Sequence, residues 1–234
     1  MYEAMQELFG YGHPGARFWV VGLEEHCGDA ADIQGRIDLR TADPQRFLDV
    51  EAFHVELQGA MPAVERVSVW RIAREIYRGV YGADTEIGRL DPQRSDMLLS
   101  EILPLPRPQH NQWPEAYRGW FQDKDAYIEH ARPIMVRRLI DMVDEHKPEV
   151  VILHGKTQHD TWIKNDPLIR VGWASEVVAG HRKQTLQWRC RNGTLWLRTN
   201  NLVTNGFVNF GATQIEQAVA LIRRERVARP VADQ

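Results

Sequence analysis

The 234 residues have enough apolar content to bury one substantial core, which suits a single domain over 1–229 with a loose tail at 230–234. No basic start leads into an apolar run, and no uninterrupted apolar stretch approaches the ~20 residues needed to cross a bilayer, so a cytoplasmic monomer without membrane contact is expected. Two cysteines, Cys27 and Cys190, cannot by themselves build an iron–sulfur or four-cysteine zinc site, and the nine histidines lack i, i+4 pairing, so neither metal nor cofactor is expected.

The net charge of −3 is unevenly spread. Residues 151–234 carry twelve Lys/Arg against six Asp/Glu, whereas residues 1–150 carry seventeen against twenty-six. The second half can therefore supply a phosphate-facing surface, which permits a nucleic-acid partner without requiring one.

In chain order, Arg17-Phe18-Trp19-Val20-Val21-Gly22 is an apolar run ending in Gly, the pattern of a strand buried on both faces and followed by a loop. Residues 64–81 place Val69, Ile72, Ala73, Ile76 and Val80 at helical spacing. A second strand over Asp96 to Leu103 is expected to stop at Pro104, Pro106 and Pro108. Ile128, Ala131, Met135, Leu139 and Met142 mark a second helix, which Pro133 must kink or begin. A third strand, Glu149 to His154, ends at Gly155, and a short helix through Trp162 follows it.

Thr185–Arg191 and Thr194–Thr199 read as a hairpin turned by Asn192-Gly193, the pair suited to a type I′ turn. An Asn-rich loop and a terminal helix close the chain, with Thr213 and Glu216 as its capping box and Ile215, Ala218, Val219 and Ile222 on its buried face. Alternating strands and helices imply an α/β fold, a three-layer α/β/α sandwich with a short, mainly parallel central sheet. Its ligands should bind outside the carboxyl ends of the strands, in loops 22–28, 100–110 and 199–211.

The first of these loops, Gly22-Leu23-Glu24-Glu25-His26-Cys27-Gly28, gathers two carboxylates, an imidazole and a thiol. Glu24 or Glu25 can orient a water or stabilise a cationic sugar, and His26 can donate to a leaving group; the simpler reading is a solvated acidic turn. Cys27 lacks a base and an orienting partner in sequence, which weakens it as a nucleophile.

That loop, the strand end Ser100-Glu101-Ile102-Leu103-Pro104-Leu105-Pro106, the strand Pro148 to Gly155 and the late Asn-rich stretch, taken in order, resemble the uracil-DNA glycosylase superfamily over most of the domain. In that family a Gly-x-(Asp/Asn/Glu) loop follows the first strand, the second strand reads a flipped base, and a late His-Pro-Ser or Asn-Pro-Ser loop completes the site. The resemblance implies a water-orienting acid at Glu24, with Glu25 as second choice and Gly22, Leu23 and His26 beside the substrate. It implies base contacts from Ser100 and Glu101. It also places Asn200 or Asn201 as charge stabilisers at the departing base, with Asn205 near the substrate.

Two departures from the family pattern shape the expected substrate. The late loop lacks Pro-Ser, and Ser100-Glu101 stand near the family's uracil-reading Asn. An ionised Glu101 accepts hydrogen bonds but donates none, which suits the exocyclic amine of cytosine better than uracil O4, unless Glu101 merely ends the strand in a salt bridge.

Some bacterial members of the superfamily act against phages with modified cytosine in their DNA. The expected activity is therefore a monofunctional DNA glycosylase excising a modified cytosine, such as glucosylated hydroxymethylcytosine. The alternatives are a uracil glycosylase with altered base contacts and a catalytically silent DNA-binding or assembly module. DNA contacts are expected from Arg107, Arg182, Lys183 and Arg198, although strand alternation sends some hairpin cations to opposite faces. The eight tryptophans are read as core or interface residues.

Overall fold

The computed structural model describes residues 1–60, 68–82, 90–108, 112–155, 172–178, 185–199 and 211–227. Among the described residues eight strands form one sheet: β1 (Gly10–Gly12), β2 (Phe18–His26), β3 (Phe47–Leu48), β4 (Met97–Arg107), β5 (Val150–His154), β6 (Ala174–Val177), β7 (Thr185–Arg191) and β8 (Thr194–Thr199). The spatial order is β3-β1-β4-β2-β5-β8-β7-β6. The four central strands β4, β2, β5 and β8 are mutually parallel, and β1, β7 and β6 join antiparallel to their inner neighbours. The sheet is thus mixed and eight strands wide, not short, because three strands too brief or too polar to read in sequence extend it at both sides.

Six helices accompany the sheet among the described residues: α1 (Tyr2–Glu7), α2 (Ala30–Ala42), α3 (Val50–Gln58), α4 (Ser68–Tyr81), α5 (Lys124–His146) and α6 (Ala212–Val227). Alternation along the central strands splits their side chains between two cores. Phe18, Val20, Leu99, Ile152 and Leu197 pack with α3, α4 and α6. Trp19, Val21, Leu98, Val151, Leu153 and Trp196 pack with the apolar stripe of α5, Met135, Val136, Leu139, Met142 and Val143. Burial on both faces is why these strands are near-continuous apolar runs.

Three boundaries differ from the sequence reading. Glu24, Glu25 and His26 belong to β2 and not to a loop. β4 likewise runs through Pro104 and Pro106 to Arg107. The prolines fit because the β2–β4 register slips there: Glu24 pairs with Leu103 but His26 with Arg107, so no regular ladder donor is needed between. Side chains serve the displaced backbone groups: Arg40 donates to Pro104 O (3.2 Å), Leu105 N to the Tyr127 hydroxyl (3.0 Å), and the Tyr117 hydroxyl to Pro106 O (2.7 Å).

The third difference concerns helix starts. α5 begins at Lys124 behind an Asp123 cap that accepts from Ala126 N at 2.9 Å, so Pro133 lies inside it on an exposed face. In α6 the reciprocal cap is Gln214, whose Oε1 accepts from Gly211 N (2.9 Å), two residues earlier than the Thr213–Glu216 pair. The hairpin turn is as read, with Asn192 at φ 50° and Gly193 at φ 83°. Residues 64–67, the helix expected through Trp162, the Asn-rich loop and the tail at 230–234 lie outside the described residues. No helix among the described residues is long and apolar enough to cross a membrane.

Candidate functional site

The strand ends meet at one edge of the sheet. Val21 lies opposite Leu153 and Gly22 opposite Glu101, and His154 pairs with Thr199 at the end of β8. Beyond Val21, β2 loses β5 as a partner but keeps β4, so β2 and β4 project past the sheet as a two-stranded ribbon. A cavity of about 590 Å³ opens against this ribbon, closed by β1, α2, α3 and α4. It brings together Glu24, Glu25, Ser100 and Glu101, with Leu23 and His26 also on its wall.

The three carboxylates have distinct surroundings. Glu25 is fully engaged: its Oε1 accepts from the Tyr11 hydroxyl (2.7 Å) and Arg36 Nη1 (2.5 Å), and its Oε2 from Arg40 Nη2 (2.5 Å). Both guanidiniums also lie over the Phe53 ring, 5.6 and 5.4 Å from its centre. Burial alone would raise the Glu25 carboxyl, but Arg40 and Arg36 outweigh it and hold the group at about 2. With both oxygens bonded, Glu25 organises the cavity floor and is poorly placed to take a proton from water.

Glu24 is ion-paired with Arg107, whose Nε and Nη2 both donate to Glu24 Oε2, the former at 2.7 Å. Arg107, expected to grip a phosphate from the surface, is instead buried in the cavity wall with its side chain 0% exposed.

Glu101 is the contrast. It sits in register with Gly22, and a Cβ at that position would overlap the Glu101 carboxylate, so the glycine supplies the seat. Its Oε2 is buried and has no hydrogen-bond partner among the described residues. Burial, then the charges of Glu25 and Glu24, push this carboxyl well above its ordinary range. The shift is toward the neutral acid and runs against the expectation of an ionised, acceptor-only group. Gly22→Ala is expected to cost little stability, about 1 kcal/mol, because the clashing atoms are the mobile end of a side chain, while forcing the carboxyl into the cavity. Denaturant unfolding checks this; a loss of several kcal/mol would mean that the backbone there cannot yield.

Other expected residues fall into place less directly. Ser100 lines the cavity, but its hydroxyl donates to Phe9 O (2.5 Å), tying β4 to the segment before β1. His26 stands exposed at the rim. Cys27 is buried, and burial pushes its thiol up to about 12, which suits packing and not nucleophilic attack. Arg198, expected on a DNA face, is buried in β8 with its guanidinium 5.0 Å from the centre of the Trp173 ring, and burial lowers its pKa. Arg191 is held bidentately by Asp144 at 2.7 and 2.8 Å. Asn200, Asn201, Asn205, Arg182 and Lys183 lie outside the described residues.

Sequence reasoning missed Tyr11, Arg36, Arg40, His54, Trp70 and His154, all on the cavity wall. Arg36 and Arg40 had a readable signal. Together with Ile33 and Ile37 they form the buried stripe of α2, at the spacing of an amphipathic helix whose inner face holds two cations. His154 had one too, as the last residue of the third parallel strand. His54 stacks on Tyr11 with rings 6.4 Å apart, its Nδ1 without a partner among the described residues, and burial lowers its pKa. No group of three or more His, Cys, Asp and Glu among the described residues could hold a metal ion.

Comparison of the chain with protein-family models and with curated proteins gives no match.

Proposed function

We propose that this protein is a DNA glycosylase that hydrolyses the N-glycosidic bond of a modified cytosine turned out of DNA, with glucosylated hydroxymethylcytosine as the preferred type, and leaves an abasic site. The observation that carries this reading is the gathering of Glu24, Glu25 and Glu101 at the carboxyl ends of two adjacent parallel strands, around a single cavity. The carboxyls differ in environment: Glu25 is clamped by two guanidiniums and held at about 2, Glu24 is paired with Arg107, and burial pushes Glu101 well upward. A volume of about 590 Å³ is in the range of small-molecule sites and exceeds what a bare pyrimidine fills, which favours a base with a bulky substituent.

In the reaction a water oxygen bonds to the sugar C1′, the C1′–N bond breaks, and its electron pair leaves with the base. Glu24 positions the water, takes its proton and stabilises the cationic sugar, and Arg107 fixes the orientation of that carboxylate. The departing base gains a proton from a donor at the cavity wall or from solvent. DNA is the partner, and the base enters the cavity by leaving the duplex stack. A uracil substrate is the second reading, favoured by the neutral Glu101, which offers uracil the donor that an ionised carboxylate would lack.

Incubation with duplexes carrying uracil, hydroxymethylcytosine or glucosylated hydroxymethylcytosine, followed by alkaline strand scission, tests the reading. Scission at the glucosylated base is expected. Scission only at uracil would select the second reading, and none on any duplex, with the protein folded, would overturn both.

A further inference from the structure

The floor of the cavity holds a carboxyl whose Oε2 has no hydrogen-bond partner among the described residues. Glu101 is placed by β4 opposite Gly22, its Oε2 is buried, and no described residue donates to that oxygen. The charges around it give no relief. From β2 it faces Glu24 and Glu25. Arg36 and Arg40 of α2 are turned to Glu25, as is the Tyr11 hydroxyl of β1, and Arg107 of β4 is turned to Glu24. His54 of α3, which burial holds toward neutral, and His154 of β5 line the same cavity.

An anion buried beside two other carboxylates without a donor is costly, and taking up a proton removes that cost. A protonated carboxyl then presents an O–H donor and a C=O acceptor side by side, a pair whose desolvation only a ligand with the complementary pair can repay.

We propose that Glu101 is the specificity-determining residue of the cavity and acts as a neutral carboxylic acid that reads the Watson–Crick edge of a pyrimidine bearing adjacent donor and acceptor atoms. With a cytosine, the exocyclic amine donates to the Glu101 carbonyl oxygen while the Glu101 O–H donates to N3. With a uracil, N3–H and O4 take the same two places. The inference rests on the base-releasing reading and sharpens it: selection between cytosine and uracil falls to contacts elsewhere in the cavity, whereas Glu101 rejects bases that lack either atom of the pair.

Calorimetric binding of free bases tests this apart from catalysis. Cytosine and uracil are compared with 3-deazacytosine, which lacks the ring acceptor, and 2-pyrimidinone, which lacks the amine. Cytosine, uracil or both are expected to bind, and each of the two deletions should lose about tenfold relative to cytosine where cytosine binds. E101A should lose a similar factor, and E101Q, whose amide keeps one donor and one acceptor, should restore it.

The pH profile supplies a second readout. As pH rises through the raised Glu101 pKa the O–H is lost, so wild-type affinity for cytosine should fall with rising pH while that of E101Q stays level. Binding of 3-deazacytosine equal to that of cytosine, with E101Q as weak as E101A, would show an ionised acceptor and overturn the inference alone. Equal affinity of wild type, E101A and E101Q would show that Glu101 reads nothing. Failure of every pyrimidine to bind would overturn the base-releasing reading with it.

Discussion

Glu25→Gln is expected to destabilise the protein by about 3–5 kcal/mol, because buried Arg40 loses the carboxylate it is paired with and buried Arg36 keeps only Asp32. Arg36 and Arg40 side chains are each 3% exposed, and both direct a guanidinium nitrogen to within 2.5 Å of this one carboxylate. Glutamine keeps the size and one acceptor oxygen, but it removes the charge and offers an amide N–H₂ where a guanidinium donor already points. The loss should appear as a lower denaturant midpoint at neutral pH.

The pH dependence follows from the same contacts. The carboxyl lies at about 2 in the folded protein against an ordinary 4.5, so its contribution is complete above that ordinary value and is lost as pH falls toward 2. Wild type and Glu25→Gln should therefore converge in stability in acid. Replacing Glu25, Arg36 and Arg40 together with apolar residues of similar volume should cost less than Glu25→Gln alone. A Glu25→Gln variant within about 1 kcal/mol of wild type at neutral pH would mean that the cluster is as weak as a surface pair.

The same cluster shows where the sequence ceased to be informative. The β–α–β–α–β order, the hairpin and the terminal helix were legible because their patterns are local: apolar runs at 17–22 and 149–154, helical spacing at 69–80, and Asn192-Gly193 between two strands. β1, β3 and β6, of three, two and four residues, are too short to establish a period. The sheet's full width was hidden for that reason. α2 was hidden because half of its inner stripe is arginine, a residue that belongs inside only when a counter-charge waits there, and that charge comes from another element.

The candidate site divides in the same way. That Glu24, Glu25 and Glu101 approach one another followed from strand order alone. The surroundings of each depend on Arg107, on Arg36 and Arg40, and on the lack of a donor to Glu101 Oε2 among the described residues, none of which adjacency in sequence reveals. Arg107 and Arg198 were read as surface cations since solvation is the usual state of an arginine; a carboxylate on one and an indole over the other allow burial.

Glu24→Gln is expected to slow base release by about 10²- to 10⁴-fold, the range over which a positioned base and a charge facing the reacting centre contribute. The substitution preserves shape and removes the negative charge that, on the proposed mechanism, stabilises the cationic sugar and accepts the proton of the attacking water. It also touches folding, because the fully buried Arg107 loses the negative charge of Glu24 beside it. A rate loss could then be mistaken for unfolding. The double variant Glu24→Gln with Arg107→Gln removes both charges and should recover stability without recovering rate, which separates the two effects.

On the proposed reading, Glu24 drives hydrolysis of an N-glycosidic bond in DNA. Its most direct test is single-turnover release of the base from a duplex containing one glucosylated hydroxymethylcytosine, measured for wild type, Glu24→Gln and the double variant below their unfolding temperatures. Rapid formation of abasic sites by wild type and at least a hundredfold slower release by both variants are expected. Release by a folded Glu24→Gln at the wild-type rate would contradict that reading.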